Sequence, residues 1–244
     1  MTEPNQPSPL RRLPIQRFAN ADQLQRTVAD AFCEAVSITL EQQDSFRIAL
    51  SGGSTPKRLY ELLAERELPW DQIHWFWGDE RNVPNNHSDS NAKMVRAALL
   101  DRVPTPAMNI HPVAVEPQNP ALAAERYRET LRSRFPDDTF PTWDLVLLGM
   151  GDDGHTASLF PHTDALSEQK LWFVENWVEK FDAYRYTLTA SAINSGQRIW
   201  FLVAGENKRP ALAEVLSGRG NERVYPSRLI QPTQWWITDD ALPC

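Results

Sequence analysis

Short apolar runs alternate along this chain with helix-patterned segments, and several runs end in glycine-rich polar loops; no other feature constrains the fold as tightly. Residues 47–50 (RIAL) are apolar enough for a buried strand, and Leu59, Leu62 and Leu63 then recur at the spacing of one helical face. Upstream, Leu24, Val28, Ala31, Phe32 and Ala35 follow helical spacing behind Asn20, a good cap, which predicts a helix over 21–40. Further strands are expected at 73–77, 109–113, 144–148, 186–189, 199–204 and 233–238, and further helices at 92–100, 120–135 and 206–216, the last ended by Gly218. The run at 144–148 (DLVLL) has the character of a strand covered on both faces. Strands alternating with helices imply an α/β fold with a doubly wound, mainly parallel, Rossmann-like sheet. Ligands of such sheets bind at the carboxyl ends of the strands. The loops "SGGSTP", "GDERNVP" and "GMGDDGHT" all leave those ends, so they are expected to share one edge.

The first of these loops opens a helix. Pro56 suits a first helical turn, and Ser54 or Thr55 can cap it. Gly52 and Gly53 permit close approach to free backbone N–H groups and the positive end of the helix dipole, a setting for an anion. A well-capped turn without a ligand accounts for the stretch equally well. This loop carries neither the GxxxxGK[ST] pattern nor GxGxxG, so a nucleotide is not its obvious guest. In "GDERNVP", Arg81 stands beside Asp79 and Glu80, as a local ion pair or as an anion ligand. His155 follows the longest apolar strand in a glycine turn, and an ordinary imidazole, titrating near ~6.5, can act as a general base. Asp152, Asp153, His155 and His162 match no zinc or EF-hand spacing, so no metal is expected. There is no GxSxG elbow for a covalent hydrolase. Arg185, Lys208 and Arg209 are phosphate partners or ordinary surface charge.

Composition excludes several partners. A net charge of -7 disfavours nucleic acid and anionic membranes, and no stretch approaches the ~18 apolar residues of a membrane span. Cys33 and Cys244 form no CxxC pair, which fits a reducing cytoplasm. The polar, proline-rich start is expected to be disordered over residues 1–14, with residues 15–244 forming a single α/β domain and the protein a monomer.

Taken together, "LSGGSTP", "GDERNVPNNHSDSN", "DLVLLGMGDDGHTASLFP", "RYTLT" and "FLVAGENK", in that order, resemble the 6-phosphogluconolactonases of the pentose phosphate pathway, in the glucosamine-6-phosphate isomerase/6-phosphogluconolactonase family. The resemblance implies a fold of the glucosamine-6-phosphate deaminase type, no metal or other cofactor, and hydrolysis of 6-phospho-D-glucono-1,5-lactone to 6-phosphogluconate. It implies His155 as the base, with Arg81, Arg185 and Lys208 near the sugar phosphate. A lactone is an activated ester, so one positioned base and a few donors suffice; Asp153 is expected to orient the imidazole, and Asp79 with the Gly52 to Thr55 loop to bind the sugar. Where the family often has prolines before the arginine of "RITLT", this chain reads Asp182-Ala183-Tyr184, and His162 stands where glycine is common. Two alternatives belong beside this reading. A deaminase-type isomerase would carry a relay glutamate where this chain has Phe160 and a tyrosine where it has Arg81. A non-catalytic sugar-phosphate-binding regulator would usually carry a basic helix-turn-helix, which is absent here.

Overall fold

The computed structural model describes residues 14–243. In chain order its elements are β1 (Ile15–Phe18), α1 (Ala21–Leu40), β2 (Phe46–Leu50), α2 (Ser54–Leu63), β3 (Ile73–Trp77), β4 (Asp79–Arg81), α3 (Asn91–Val95) and β5 (Ile110–His111). There follow α4 (Pro120–Arg134), β6 (Leu145–Gly149), β7 (Phe173–Val178), β8 (Ala183–Leu188), α5 (Ala190–Asn194), β9 (Ile199–Val203), α6 (Arg209–Leu216) and β10 (Gln234–Thr238). Seven strands form one sheet in the order β1-β10-β9-β6-β2-β3-β5, every neighbouring pair parallel. The doubly wound α/β expectation is met. From β2 the chain builds outward through β3 to β5, and from β6 it builds the other way through β9 and β10. The reversal lies between β2 and β6, where such sheets open a ligand crevice at the strands' carboxyl ends.

Local signals act as the sequence implies. The Asn20 side chain accepts from Gln23 N at 3.0 Å to cap α1, and Asn119 accepts from Leu122 N ahead of Pro120 in α4. Leu24, Val28 and Phe32 bury one face of α1 against the sheet, where Phe32 meets Phe46 and Trp75. Their complete removal from water contributes roughly 1.5–3 kcal/mol per side chain. Residues 92–100 do not form one α-helix: α3 ends at Val95 and the next turn widens to a π-helix over Arg96–Leu100.

The polar stretch read as a loop after β3 holds a strand. β4, β8 and β7 form a second, antiparallel sheet, with Arg81 directly opposite Arg185 in its register. Gly78 joins the two sheets: its N–H donates to Leu50 O of β2, and its carbonyl accepts from Leu188 N of β8. The expected disorder of residues 1–14 lies outside the described residues except at Pro14, whose carbonyl accepts from Trp235 N and Gln234 Nε2. Among the described residues no helix is long and apolar enough to cross a membrane.

The large sheet also contains a pH-sensitive pair. His111 is buried, stacks on Phe76 at 4.4 Å, and lies 3.3 Å from His74, ring nitrogen to ring nitrogen. Burial, aided by Arg134 and by His74, pushes the His111 imidazole down to about 4, and burial lowers His74 as well. The unfolded chain takes up the His111 proton near ~6.5, so stability is complete above that pH and is lost as pH falls toward 4. At about pH 5 the expected loss from this residue is on the order of 2 kcal/mol. Urea unfolding near pH 7.5 and near pH 5 reads it; His111→Asn should show a smaller drop between the two conditions than the wild-type chain.

Candidate active site

A cleft of about 290 Å³ lies between the carboxyl edge of the parallel sheet and the small sheet. Of the residues expected at a site, Gly52, Gly53, Asp79, Arg81, His155, Arg185 and Lys208 line it. Ser54 and Thr55 do not, and neither caps α2. The cap residue is Gly53, at φ +103°, a conformation that suits glycine and leaves the helix without a side-chain cap. The first N–H groups of α2 thus remain uncapped by any side chain at the edge of the cleft, with its dipole behind them.

Two buried tyrosines pin the strand ends from which these loops leave. The Tyr60 hydroxyl donates to Ser51 O at 2.8 Å and accepts from Ser51 N at 3.0 Å, just past β2. Tyr127 does the same at Trp77, accepting from its N–H at 2.7 Å and donating to its carbonyl at 3.1 Å, at the end of β3. Burial raises both phenols well above their ordinary range, so they stay protonated and able to donate.

Glu80 does not pair with the Arg81 guanidinium. Fully buried, its carboxylate accepts from Asn91 N at 2.8 Å and Ala92 N at 2.7 Å, and thereby caps α3 from a neighbouring strand. Burial raises its carboxyl, opposed by these backbone hydrogen bonds. Asp79, on the opposite face of β4, is held toward the cleft by Ser158 Oγ at 3.0 Å and by the Asn91 amide. Arg81 Nη1 donates to Asp89 O at 2.6 Å, while the Arg185 guanidinium lies 4.9 Å from the centre of the Phe181 ring. Like charges directly opposite on one face of a sheet destabilise it unless an anion lies between them. Burial first, then the charge of Arg81, lowers Arg185. Lys208 completes the cationic wall, whereas Arg209 donates instead to Asp240 O.

The turn after β6 sets His155 against Asp153. Nδ1 of the ring lies 2.5 Å from Asp153 Oδ1, which also accepts from His155 N at 3.1 Å. Burial alone would raise the Asp153 carboxyl. The hydrogen bond and charge of His155, its backbone N–H and Lys180 together outweigh that burial and hold Asp153 well below the usual carboxylate range. With the carboxylate ionised, Nδ1 carries the ring proton and Nε2 keeps a lone pair, the state of a general base. A Cβ on Gly151 would come within 2.0 Å of Nδ1, so only glycine lets the ring pack against this backbone. Phe160 stacks on the other face of the imidazole at 4.1 Å. Ser227 clamps the turn from below: its N–H and its hydroxyl both donate to Gly154 O, at 2.9 and 2.8 Å. Asp152 is exposed and His162 faces a neighbouring cavity, so neither joins the cleft. Among the described residues no group of three or more His, Cys, Asp or Glu is arranged to hold a metal ion.

A cationic wall, one buried carboxylate, a set of helix N–H groups and a carboxylate-oriented imidazole suit a small polyhydroxylated anion with an electrophilic carbon. Ser227, Lys180 and the two tyrosines carry no motif that the sequence reading could recognise, while Asn91 and Ser158 lie inside the recognised loops without being singled out.

Comparison with known proteins points the same way. A 6-phosphogluconolactonase of Nostoc is 50% identical over 217 residues, 87% of this chain and 89% of that protein. One from Synechocystis is 46% identical over 205 residues, covering 82% and 84%. The structure of 6-phosphogluconolactonase from Trypanosoma cruzi superposes with a TM-score of 0.85 at 28% identity, over 94% of this chain and 95% of that one. The family model of glucosamine-6-phosphate isomerases/6-phosphogluconolactonases matches residues 19–238, and with relatives this similar along nearly its whole length the chain belongs to that family.

Proposed function

We propose that this protein hydrolyses 6-phospho-D-glucono-1,5-lactone to 6-phosphogluconate in the oxidative branch of the pentose phosphate pathway, as a cytoplasmic monomer. The His155–Asp153 pair beside a cationic wall carries the reading. His155 Nε2 takes a proton from water as the oxygen attacks C1 of the lactone. The tetrahedral intermediate collapses by breaking the bond to the ring oxygen, which leaves as an alcohol once protonated by the imidazolium. Asp153 stabilises that imidazolium and fixes its tautomer. The α2 amides and the cations Arg81, Arg185 and Lys208 hold the phosphate and the polar edge of the sugar, and Asp79 accepts from a sugar hydroxyl. No covalent intermediate or metal is needed for an ester this activated.

The deaminase alternative needs a relay carboxylate that the site does not offer. Phe160 occupies the position expected for it and covers the imidazole face with an apolar ring. Parallel assays with the fresh lactone, corrected for spontaneous hydrolysis, and with glucosamine 6-phosphate, followed by ammonia release, test this. Rapid lactone hydrolysis with no ammonia above background is expected. Comparable rates in the two assays would overturn the lactonase reading.

A further inference from the structure

We propose that Lys180 is a positioning residue for the hydrolysis, its ammonium group holding the Asp153 carboxylate in the rotamer that serves His155. The inference rests on the lactonase reading and adds a component from the other sheet. Asp153 commits Oδ1 to the imidazole and to His155 N, and Lys180 Nζ lies 3.1 Å from the remaining oxygen, Oδ2. Lys180 belongs to the tight turn Glu179–Phe181 between β7 and β8, closed by Asp182 in the left-handed region at φ +47°.

That turn grips the pair from two sides. Phe181, next to Lys180, lines the cleft and meets Phe160 edge-on at 5.5 Å, and Phe160 in turn stacks on His155. Behind Asp153 opens a second cavity of about 790 Å³, with Lys180 on its wall. The carboxylate therefore has room to swing away from the imidazole, and Lys180 is the charged side chain bonded to its outer oxygen. An exposed lysine pair ordinarily contributes little to stability, and the Lys180 side chain is 54% exposed. Asp153 at 25% is much less so, and small displacements of an oriented base are costly to rate even where they are cheap to fold stability.

The remaining charges around the pair are Asp79, Arg81, Arg185 and Lys208 across the cleft, Asp152 on the same turn, Glu179 and Asp182 on the β7–β8 turn, and Asp164, Glu175 and the titratable His162 in the second cavity. None of them is replaced in a Lys180 variant.

The experiment compares Lys180→Met and Lys180→Arg with the wild-type chain. For Lys180→Met, kcat is expected to fall roughly 3- to 10-fold with KM unchanged. The ring resonances of His155, recorded by NMR without substrate at one fixed alkaline pH, should shift from their wild-type positions as the carboxylate leaves the imidazole. Lys180→Arg should restore both. An unaltered kcat, unshifted resonances or a failure of arginine to restore them overturns the proposal. The NMR reading needs no turnover, so a wild-type chain inactive on the lactone would refute the activity while leaving the Lys180 contact separately testable.

Discussion

Replacing His155 by alanine is expected to lower kcat roughly 10²- to 10⁴-fold while KM stays within about twofold. In the proposed mechanism the proton leaves water only as the transition state forms, so the imidazole would contribute nothing to holding the lactone beforehand. The pH dependence gives an independent reading. If the imidazole is the base, kcat/KM should fall on the acid side, but the substrate phosphate, with its second ionisation near ~6, would produce a similar limb. Residual activity of His155→Ala keeps only the substrate's limb, and so separates the two. Initial rates on freshly made lactone, read against an enzyme-free control, are the measurement. Near-full turnover by the alanine variant would remove His155 from the mechanism and direct attention to Asp79.

The second large effect is expected at the facing arginines. On the proposed reading Arg81 and Arg185 each offer a charge-assisted fork to one anion, and such hydrogen bonds contribute roughly 1.5–3 kcal/mol each. Arg81→Met or Arg185→Met should therefore raise KM roughly 10- to 100-fold, since the phosphate does not change during the reaction and its binding is common to ground and transition states. The free protein should not suffer. Its two guanidinium groups repel one another across the strand pair, so either variant should melt no lower than wild type. Inorganic phosphate should raise the melting temperature of the wild-type chain and do so less for either variant. A cation whose loss instead lowers kcat at constant KM would be the one facing the developing oxyanion at C1. Lys208→Met, assayed beside the arginine variants, shows whether that role falls to the third cation.

What the sequence could announce, it announced through periodicity. β2, β3, β6 and β9 are short apolar runs that nothing but a doubly covered sheet accommodates, and their loops lead to the cleft whatever the details of packing. Of the second sheet only β8 was legible, as the strand expected at 186–189, and the rest was not for a physical reason. β4 is Asp-Glu-Arg, three residues of low strand propensity, made a strand by pairing with β8 more than 100 positions later. β7 buries Asn176, whose amide donates to Ser158 O and Thr163 Oγ1, so its pattern breaks where a core residue would be looked for. Glu80 misled in the same way. Beside Arg81 it suggests an ion pair, and only the folded chain brings the amino end of α3 to it. His155 and Asp153, by contrast, stand two apart in one turn, and their contact was local enough to anticipate. Lys180 reaches the same carboxylate from another strand pair and leaves no mark on spacing.

Gly78 is a single peptide shared by two sheets, bonded to β2 through its N–H and to β8 through its carbonyl. The opposing walls of the cleft are thereby tied together at one point. Many enzymes close over their substrates to keep water from reactive intermediates, and their turnover is often set by how fast they reopen. Here water is the second reactant, and shutting it out would defeat the chemistry. A cleft that stayed open would admit that water before the sugar arrives and let the acid leave without waiting for a gate.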